Sequence, residues 1–309
     1  MIKCLHYVLT ILIALNLFVI CYAKTITVSK TESGDVQTIT EAFALAGSGD
    51  VIKVGPGVYN ENLIIDQSIF LYGSGPNFTT INSKINEVND NVFHNAIYIS
   101  SSNVQIIGFK VISNKSAIHS TSGVSNVIIK NCILTGSEYG FNSSISYINI
   151  FNNTIVDNIK SGIYFATPCN SPGGHVQIYG NIIANNGVYG IERHCVTIQC
   201  DYNNLYNNAK GNHNTSIQGT NSFSLDPSFI DHEEGNFVLK SDSPCINKGR
   251  PGDQDPDGSI NDMGAYAGSE IKLFWPYPIH GPIVSELFIS PISVPKGEKI
   301  TIQVKGHIR

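Results

Sequence analysis

Three adjacent ionisable residues, Glu192, Arg193 and His194, form the densest cluster of reactive side chains in the central part of the sequence. Eliminative cleavage of a uronate polymer requires a cation beside the sugar carboxylate, a base for the C5 proton and an acid for the leaving oxygen. Arg193 would supply the cation and Tyr164 the acid. The base would be His194 or Glu192. The competing interpretation is a surface ion pair between Glu192 and Arg193, and strict strand alternation would direct Arg193 inward.

A second cluster lies nearer the C-terminus, where Asp253, Asp255 and Asp257 alternate with uncharged residues. One tight loop with this spacing presents three carboxylates to a hard cation, as Ca²⁺-binding loops do. The glutamate that closes an EF-hand is missing, because Gly264 stands at that position. The pattern therefore predicts either a Ca²⁺ site completed by a neighbouring side chain or an acidic turn whose aspartates cap the local backbone.

The elements that must position the first cluster are internal repeats. Similar segments rich in Ile and Asn recur roughly every 22 residues, at 103–114, 126–137, 147–158, 175–186 and 197–208. Each repeat holds two or three short strands with polar turns between them. A single repeat of this kind buries too little apolar surface to be stable, whereas stacked repeats form a continuous core. The period predicts an all-β solenoid, a β-helix.

Aligned repeats place chemically similar residues in columns. One inward column contains Ile106, Ile129, Ile150, Ile178 and Cys200, and another contains Phe109, Cys132, Asn153, Asn181 and Asn203. Stacked asparagines at a bend hydrogen-bond from coil to coil and form a ladder. We therefore expect this asparagine column inside the solenoid.

The cysteines fall into two groups. Cys132 and Cys200 stand in the inward columns and Cys245 stands in an apolar run, so each is predicted to be a buried free thiol. Cys169 lies in the longest insertion between repeats, and Cys195 lies on the next coil. These two are the one pair for which we expect a disulfide.

A further column is predicted to face outward from the second strand of each repeat. Strict alternation places five polar or aromatic residues there, namely Tyr98, His119, Asn142, Tyr164 and Glu192. Aromatic rings suit sugar rings, and amide, imidazole and carboxylate groups suit hydroxyls. We predict a substrate-binding ribbon formed by Tyr98, His119, Asn142 and Tyr164, with an ordinary solvated sheet face as the alternative.

The N-terminal region contains an export signal and a cap. Residues 1–23 have the charged start, apolar run and small residues before a cleavage site that are typical of a secretory signal peptide. Thr38 and Glu41 form a capping-box pattern, which predicts a helix through Phe43, Leu45 and Ala46 that covers the first coil.

The C-terminal region changes in composition. The β-helix is predicted to occupy residues 24–268. Residues 269–309 begin as a proline-rich linker and continue as two alternating strands around a turn at 295–297. These strands look like the first two of an immunoglobulin-like sandwich, either cut short or packed against the solenoid.

Short motifs at both ends of the repeats carry a family resemblance, at 39–42, 49–54, 57–61, 226–229, 243–246, 255–258 and 262–266. They resemble right-handed parallel β-helix proteins of the pectin-lyase-like superfamily, and the closing motifs are similar to those of bacterial secreted members. Many of the latter carry a surface-anchoring or adhesive module. The resemblance implies the fold and implies that a polysaccharide would bind on the face formed by the outward column. It does not select an activity, because the fold hosts lyases, hydrolases, esterases and non-catalytic binders.

Composition narrows the function further. Charged residues make up only 14% of the chain and the formal net charge is −5, with no basic block, so we expect no nucleic-acid partner. No second long apolar run follows the signal peptide, so we expect no membrane span. The pectate lyase and polygalacturonase signatures are missing, and only the Gly57–Glu61 opening resembles pectin methylesterases.

The sequence thus predicts a secreted, periplasmic or cell-surface β-helix protein that interacts with a polysaccharide or surface glycan. The first alternative is an enzyme that acts on an acidic polysaccharide, with a lyase favoured over a hydrolase. The second alternative is a non-catalytic structural or adhesive module. The sequence does not decide whether the chain is an enzyme.

Overall fold

The structure is a computed structural model. It describes residues 23–31, 34–84, 94–144, 147–166, 175–194, 197–215, 219, 221–269, 283–290 and 301–307. The predicted signal peptide, apart from its last residue, lies outside the described residues, as do Cys169 and Cys195. The predicted linker beyond residue 269 and the turn at 295–297 lie outside them too.

Short parallel strands in the described residues form three sheets. The first sheet contains β1 (Thr25–Val28), β2 (Asp50–Val54), β5 (Ile69–Gly73), β8 (Val104–Ile107), β11 (Val127–Lys130), β14 (Tyr147–Phe151), β17 (His175–Tyr179) and β20 (Thr197–Asp201). The second contains β3 (Gly57–Tyr59), β6 (Thr79–Asn82), β9 (Lys110–Ile112), β12 (Ile133–Thr135), β15 (Thr154–Val156), β18 (Ile182–Ala184) and β21 (Asn204–Tyr206). The third contains β4 (Leu63–Ile65), β7 (Ile97–Ile99), β10 (Ser116–Ser120), β13 (Tyr139–Ser143), β16 (Ile163–Phe165), β19 (Tyr189–Arg193) and β22 (Gly211–His213).

Each coil contributes one strand to each sheet in turn, and each strand pairs with its equivalent in the next coil. This arrangement is a parallel β-helix and confirms the predicted fold. The predicted inward column is also confirmed, because its five members are in direct register and buried: Ile106, Ile129, Ile150, Ile178 and Cys200. Their alternation with outward residues is what strand geometry requires of a sheet with one buried face.

The predicted asparagine ladder lies at the corner between the first and second sheets. The Asn153 side-chain nitrogen donates to Asn181 Oδ1 at 3.0 Å, and that of Asn181 donates to Asn203 Oδ1 at 2.9 Å. Each acceptor oxygen also receives the backbone N–H of the preceding coil, at 2.8 and 3.0 Å. The three side chains are fully buried. The ladder thus satisfies buried backbone groups that the turn leaves without strand partners.

A second ladder, which the sequence analysis missed, lies at the corner between the second and third sheets. The Asn158 side-chain nitrogen donates to Asn186 Oδ1 at 2.9 Å, and that of Asn186 donates to Asn208 Oδ1 at 2.8 Å. Its members follow those of the first ladder by five residues, since one three-residue strand and a turn separate the two corners. This fixed five-residue spacing between asparagines is the sequence pattern from which the second ladder could have been predicted.

Both corners use the left-handed backbone region. The residue before each ladder position has positive φ, for example 51° at Asn152 and 55° at Asn185. Asparagine adopts this region more readily than most residues because its short amide bonds to the local backbone. The frequent Asn-Asn pairs therefore encode a turn residue followed by a ladder residue.

The predicted N-terminal helix is present as α1 (Ile39–Leu45). Its capping box is complete: Thr38 Oγ1 accepts the Glu41 N–H at 3.1 Å, and Glu41 Oε2 accepts the Thr38 N–H at 3.0 Å. Ile39 and Ala42 are buried in the same core as the first coils. The helix therefore shields the apolar interior at the N-terminal end, as expected.

The segment after the last coil does not continue the repeat. It begins with an antiparallel pair, β23 (Phe229–Asp231) and β24 (Asn236–Leu239), and then runs back along the outside of the second sheet. Gly264 N–H donates to Gly180 O at 2.7 Å, and Tyr266 OH donates to Asn77 Oδ1 at 2.5 Å. Apolar residues on the outside of the second sheet explain this path, since they pack with those of the segment: Ile133, Val156, Ile182, Phe229, Phe237, Cys245 and Met263.

The three described thiols, Cys132, Cys200 and Cys245, are free and buried, which confirms that expectation.

At the C-terminus, β25 (Ile283–Ser290) and β26 (Thr301–His307) pair in antiparallel fashion, as the alternating pattern predicted. Their assignment to an immunoglobulin-like sandwich stays a prediction. In the described parts of the chain, no helix combines the length and apolar character that a membrane crossing requires.

The first ladder makes a stability prediction. Asn181→Ala removes donors to Ile150 O, Tyr179 O and Asn203 Oδ1, so buried acceptors lose their partners. We expect the free energy of unfolding to fall by about 3 kcal/mol in urea denaturation. The matched control is Asn149→Ala on the solvent face of the same solenoid, with an expected change of about 0.5 kcal/mol or less. Equal effects would mean that the ladder is not a main stabilising element.

Candidate functional site

The outward column of the third sheet is aligned as predicted. Tyr98, His119, Asn142, Tyr164 and Glu192 occupy successive strands in direct register, and all five are half-exposed. We call these five residues the ribbon. Their outward placement follows from alternation with buried Ile and Phe neighbours. The binding role assigned to them from the sequence stays a prediction.

Aromatic stacking orders the ribbon. The rings of Tyr98 and His119 stack with centroids 5.4 Å apart and planes 17° from parallel. Tyr164 stacks on Tyr139 at 5.0 Å, and the Lys160 ammonium lies 5.2 Å from the Tyr139 ring centroid while also pairing with Glu138. The ring faces are thus turned toward neighbouring coils. The ring edges and polar atoms are what the ribbon presents to a ligand.

Glu192 is held in place at the C-terminal end of the ribbon. The buried Ser161 hydroxyl donates to Glu192 Oε2 at 2.5 Å and accepts the Tyr189 N–H at 3.3 Å. His194 packs edge-on against Tyr164, with centroids 5.8 Å apart. The structure therefore brings together Tyr164, Glu192 and His194, three of the four residues that the sequence suggested for catalysis.

Arg193 lies on the other face of its strand. It is in register with Phe165, which is fully buried, whereas Glu192 is in register with Tyr164. Its backbone is fixed by Asn214, which accepts the Arg193 N–H at 2.9 Å and donates to its carbonyl at 2.8 Å. The cation that elimination requires is therefore not directed at the ribbon. The catalytic role stays a prediction that the position of Arg193 does not support.

The protonation state of one ribbon residue follows from its surroundings. Burial, together with the positive charge of Lys115, lowers the pKa of His119 below its usual value. His119 is therefore neutral at pH 7 and offers one ring donor or acceptor rather than a charge.

The predicted metal-binding aspartates act mainly on backbone groups. Asp255 accepts the Asp262 N–H at 3.0 Å and the Gly268 N–H at 2.6 Å. Asp257 accepts the Ser259 N–H at 2.9 Å, and Asp253 is exposed. Among the described residues, no three His, Cys, Asp or Glu side chains are grouped closely enough to hold a metal ion. The Ca²⁺ site stays a prediction.

One ionisable pair was not anticipated. His232, on the returning C-terminal segment, lies with Nε2 2.9 Å from Asp157 Oδ1, at the corner that carries the second ladder. Burial raises the pKa of Asp157, and the hydrogen bond from His232 opposes that rise. His232 lines a cleft of about 820 Å³ between the segment and the solenoid. No local pattern connects residues this distant in sequence.

Comparison with known proteins identifies a family. The family model described as "Periplasmic copper-binding protein (NosD)" matches residues 28–236, which is more than half of the chain. A cell surface glycoprotein of Methanothermus fervidus is 34% identical over 95 residues, which cover 29% of this chain. This chain spans only 15% of the length of that relative.

Solved structures include similar solenoids. The pectin methylesterase from Aspergillus niger superposes with a TM-score of 0.45 and 15% identity, covering 72% of this chain and 92% of its own. Pectate lyase Pel9A superposes with a TM-score of 0.40 and 13% identity, covering 80% and 96%.

The acidic loop supplies a stability prediction. Asp255→Ala leaves the Asp262 and Gly268 N–H groups without their acceptor, so we expect unfolding free energy to fall by about 1–2 kcal/mol. Asp253→Ala is the exposed control and should change the unfolding free energy little.

If the loop binds Ca²⁺, millimolar Ca²⁺ raises the melting temperature of the parent but not of an Asp255→Ala/Asp257→Ala variant. If Ca²⁺ does not change the melting temperature of the parent, these carboxylates act only as acceptors for backbone N–H groups.

His119 supplies a pH prediction. Since its folded pKa is lowered, the unfolded chain binds the proton more readily, and stability falls as pH drops below about 6.5. We expect the His119 ring to titrate below 6.5 by NMR, and His119→Gln to reduce the acid-dependent loss. His213, whose pKa is also lowered by burial, accounts for part of the remaining slope. A His119 midpoint above 6.5 would contradict the assignment.

Proposed function

The chain belongs to the NosD family of periplasmic proteins, and from this premise we propose that it binds a saccharide chain along the ribbon of the third sheet. The family description agrees with the predicted location outside the cytoplasm. Periplasmic and cell-surface proteins meet polysaccharides as their most abundant extended polymers, and an elongated protein surface suits an extended ligand.

The observation that carries the proposal is the alignment of five ligand-type side chains across consecutive coils. Parallel strands lie about 4.8 Å apart, so the ribbon extends over roughly 19 Å. The spacing of one coil is close to the length of one hexose unit. A linear saccharide laid across the strands would therefore meet one side chain per sugar.

The chemistry of the ribbon suits hydroxyl groups. Tyr164 has a phenolic hydroxyl, Asn142 an amide, and Glu192 a carboxylate held by Ser161, and these groups donate or accept at fixed positions. Neutral His119 adds one more hydrogen-bonding group. Several positioned polar groups on a rigid sheet give orientation and specificity without requiring a deep pocket.

Binding is favoured over turnover because the ribbon lacks two catalytic requirements. Glu192 is the one carboxylate among its five residues, whereas glycoside hydrolysis commonly uses two. Arg193, the proposed cation for elimination, shares the face of buried Phe165. The enzyme interpretation is thus the alternative that the experiment must address.

Copper, which the family description names, does not fit the described donor set. No three His, Cys, Asp or Glu side chains are grouped within the described ranges. Burial raises the pKa of Cys132 and Cys200 to about 12 and that of Cys245 to about 11, so these thiols stay protonated at neutral pH. Thiolates are the form that binds soft metals. The proposed function therefore involves no copper.

The ribbon predicts a specific loss of binding. In a glycan array followed by calorimetry, we expect the parent to bind a linear polysaccharide and Tyr164→Ala/Glu192→Gln to bind it about tenfold more weakly. The matched control is Lys53→Ala on the outward face of the first sheet, which should bind normally. No binding to any acidic or neutral polymer would favour the structural or adhesive alternative.

The same preparations test catalysis. Pectate, alginate and glycosaminoglycans are incubated with the parent, and absorbance of the unsaturated product is followed. A steady rise that disappears in Glu192→Gln would establish a lyase and replace the binding proposal. Binding without a rise supports it.

A further inference from the structure

A shallow cavity of about 500 Å³ lies on the outer face of the first sheet, away from the ribbon. The residues that line it include no Asp, Glu, Lys, Arg or His: Ser125, Asn126, Tyr147, Asn149 and Gln177. We call this cavity the amide groove. Its floor is formed by β14 and β17, which are in direct register.

Three amides follow one another across the groove and beyond it. Asn149 pairs in register with Gln177, and Gln177 pairs with Gln199 on β20. The first two are half-exposed and Gln199 is exposed. The strand spacing places them about 4.8 Å apart.

These amides differ from the asparagines of the interior. Each ladder amide bonds to the next coil and to backbone carbonyls, as Asn181 does. Within the described part of the chain, by contrast, the side chains of Asn149, Gln177 and Gln199 have no hydrogen-bond partner. Each therefore keeps two N–H donors and one carbonyl acceptor available on the surface.

The edge of the groove adds an aromatic side chain. Tyr147 is 48% exposed and stands two residues before Asn149, so both side chains leave the same face of β14. On the other side, exposed Asn126 is fixed by donating to Asn103 Oδ1 at 2.8 Å. A half-exposed ring beside aligned amides offers apolar contact together with hydrogen bonds.

We propose that the amide groove is a second saccharide site, selective for neutral oligosaccharides. Hydroxyl groups both donate and accept, which matches amide side chains, and the repeat of one amide per coil matches a repeating ligand. No lining residue carries a charge to pair with a uronate or sulfate. The ribbon differs here, since the Lys160 ammonium lies over the Tyr139 ring that stacks on Tyr164.

The site is independent of the function proposed for the ribbon, because the two lie on different sheets. The chain is tested by calorimetry against neutral oligosaccharides (gluco-, manno- and chito-oligomers) and against oligouronates. The groove variant is Asn149→Ala/Gln177→Ala, and the matched control is Lys53→Ala, which lies on the outward face of the same sheet but outside the groove and the ribbon. The ribbon variant Tyr164→Ala/Glu192→Gln is measured beside them. Urea denaturation verifies that all three variants are folded.

We expect at least one neutral oligomer to bind the parent, with affinity about tenfold lower in the groove variant and unchanged in Lys53→Ala. Tyr147→Ala should weaken the same ligand. No neutral binding at millimolar ligand, or equal affinity in the folded groove variant and the parent, would overturn the proposal. Loss of neutral binding in the ribbon variant alone would also overturn it. If the oligouronates do not bind, that result bears on the function proposed for the ribbon and not on the amide groove.

Discussion

Hydrogen bonds between stacked asparagine side chains at two corners of the coil are the interaction on which the rest of this structure depends. A corner inside a solenoid leaves backbone groups away from both strands and water, and such groups must find partners. Asn153, Asn181 and Asn203 provide them at the first corner, and the second ladder provides them five residues later. Because each amide bonds to its equivalent in the next coil, the ladders also hold neighbouring coils in register.

Because equivalent strands of successive coils pair in register, the solenoid has three faces with different surface chemistry. The third sheet presents aromatic and ionisable groups, from Tyr98 to Glu192, in one line. The first sheet presents uncharged amides around Asn149 and Gln177. The second sheet is apolar outside and is covered by the returning C-terminal segment. A shift by one residue would exchange inward and outward sets on any strand, so surface chemistry and core packing are set together.

The C-terminal segment covers the outer face of the second sheet. Phe237 and Met263 pack on that face, and the His232–Asp157 pair connects the segment to the corner with the second ladder. Among the described residues, Asn149 and Gln177 on the first sheet and the ribbon on the third sheet are half-exposed. This division explains why uncovered polar columns are found on the first and third sheets, whereas buried apolar contacts dominate on the second.

The sequence by itself determined the features that depend on neighbours close in the chain. Period and alternation predicted the coils, the inward Ile106 column, the helix cap, the first asparagine ladder and the outward placement of the ribbon, because strand geometry links residue parity to face. Only the tertiary structure decided the rest. It applied Asp255 to backbone N–H groups and laid the C-terminal segment along the second sheet. Contacts such as Asp157 with His232 join residues far apart in sequence, and local patterns contain no information about them.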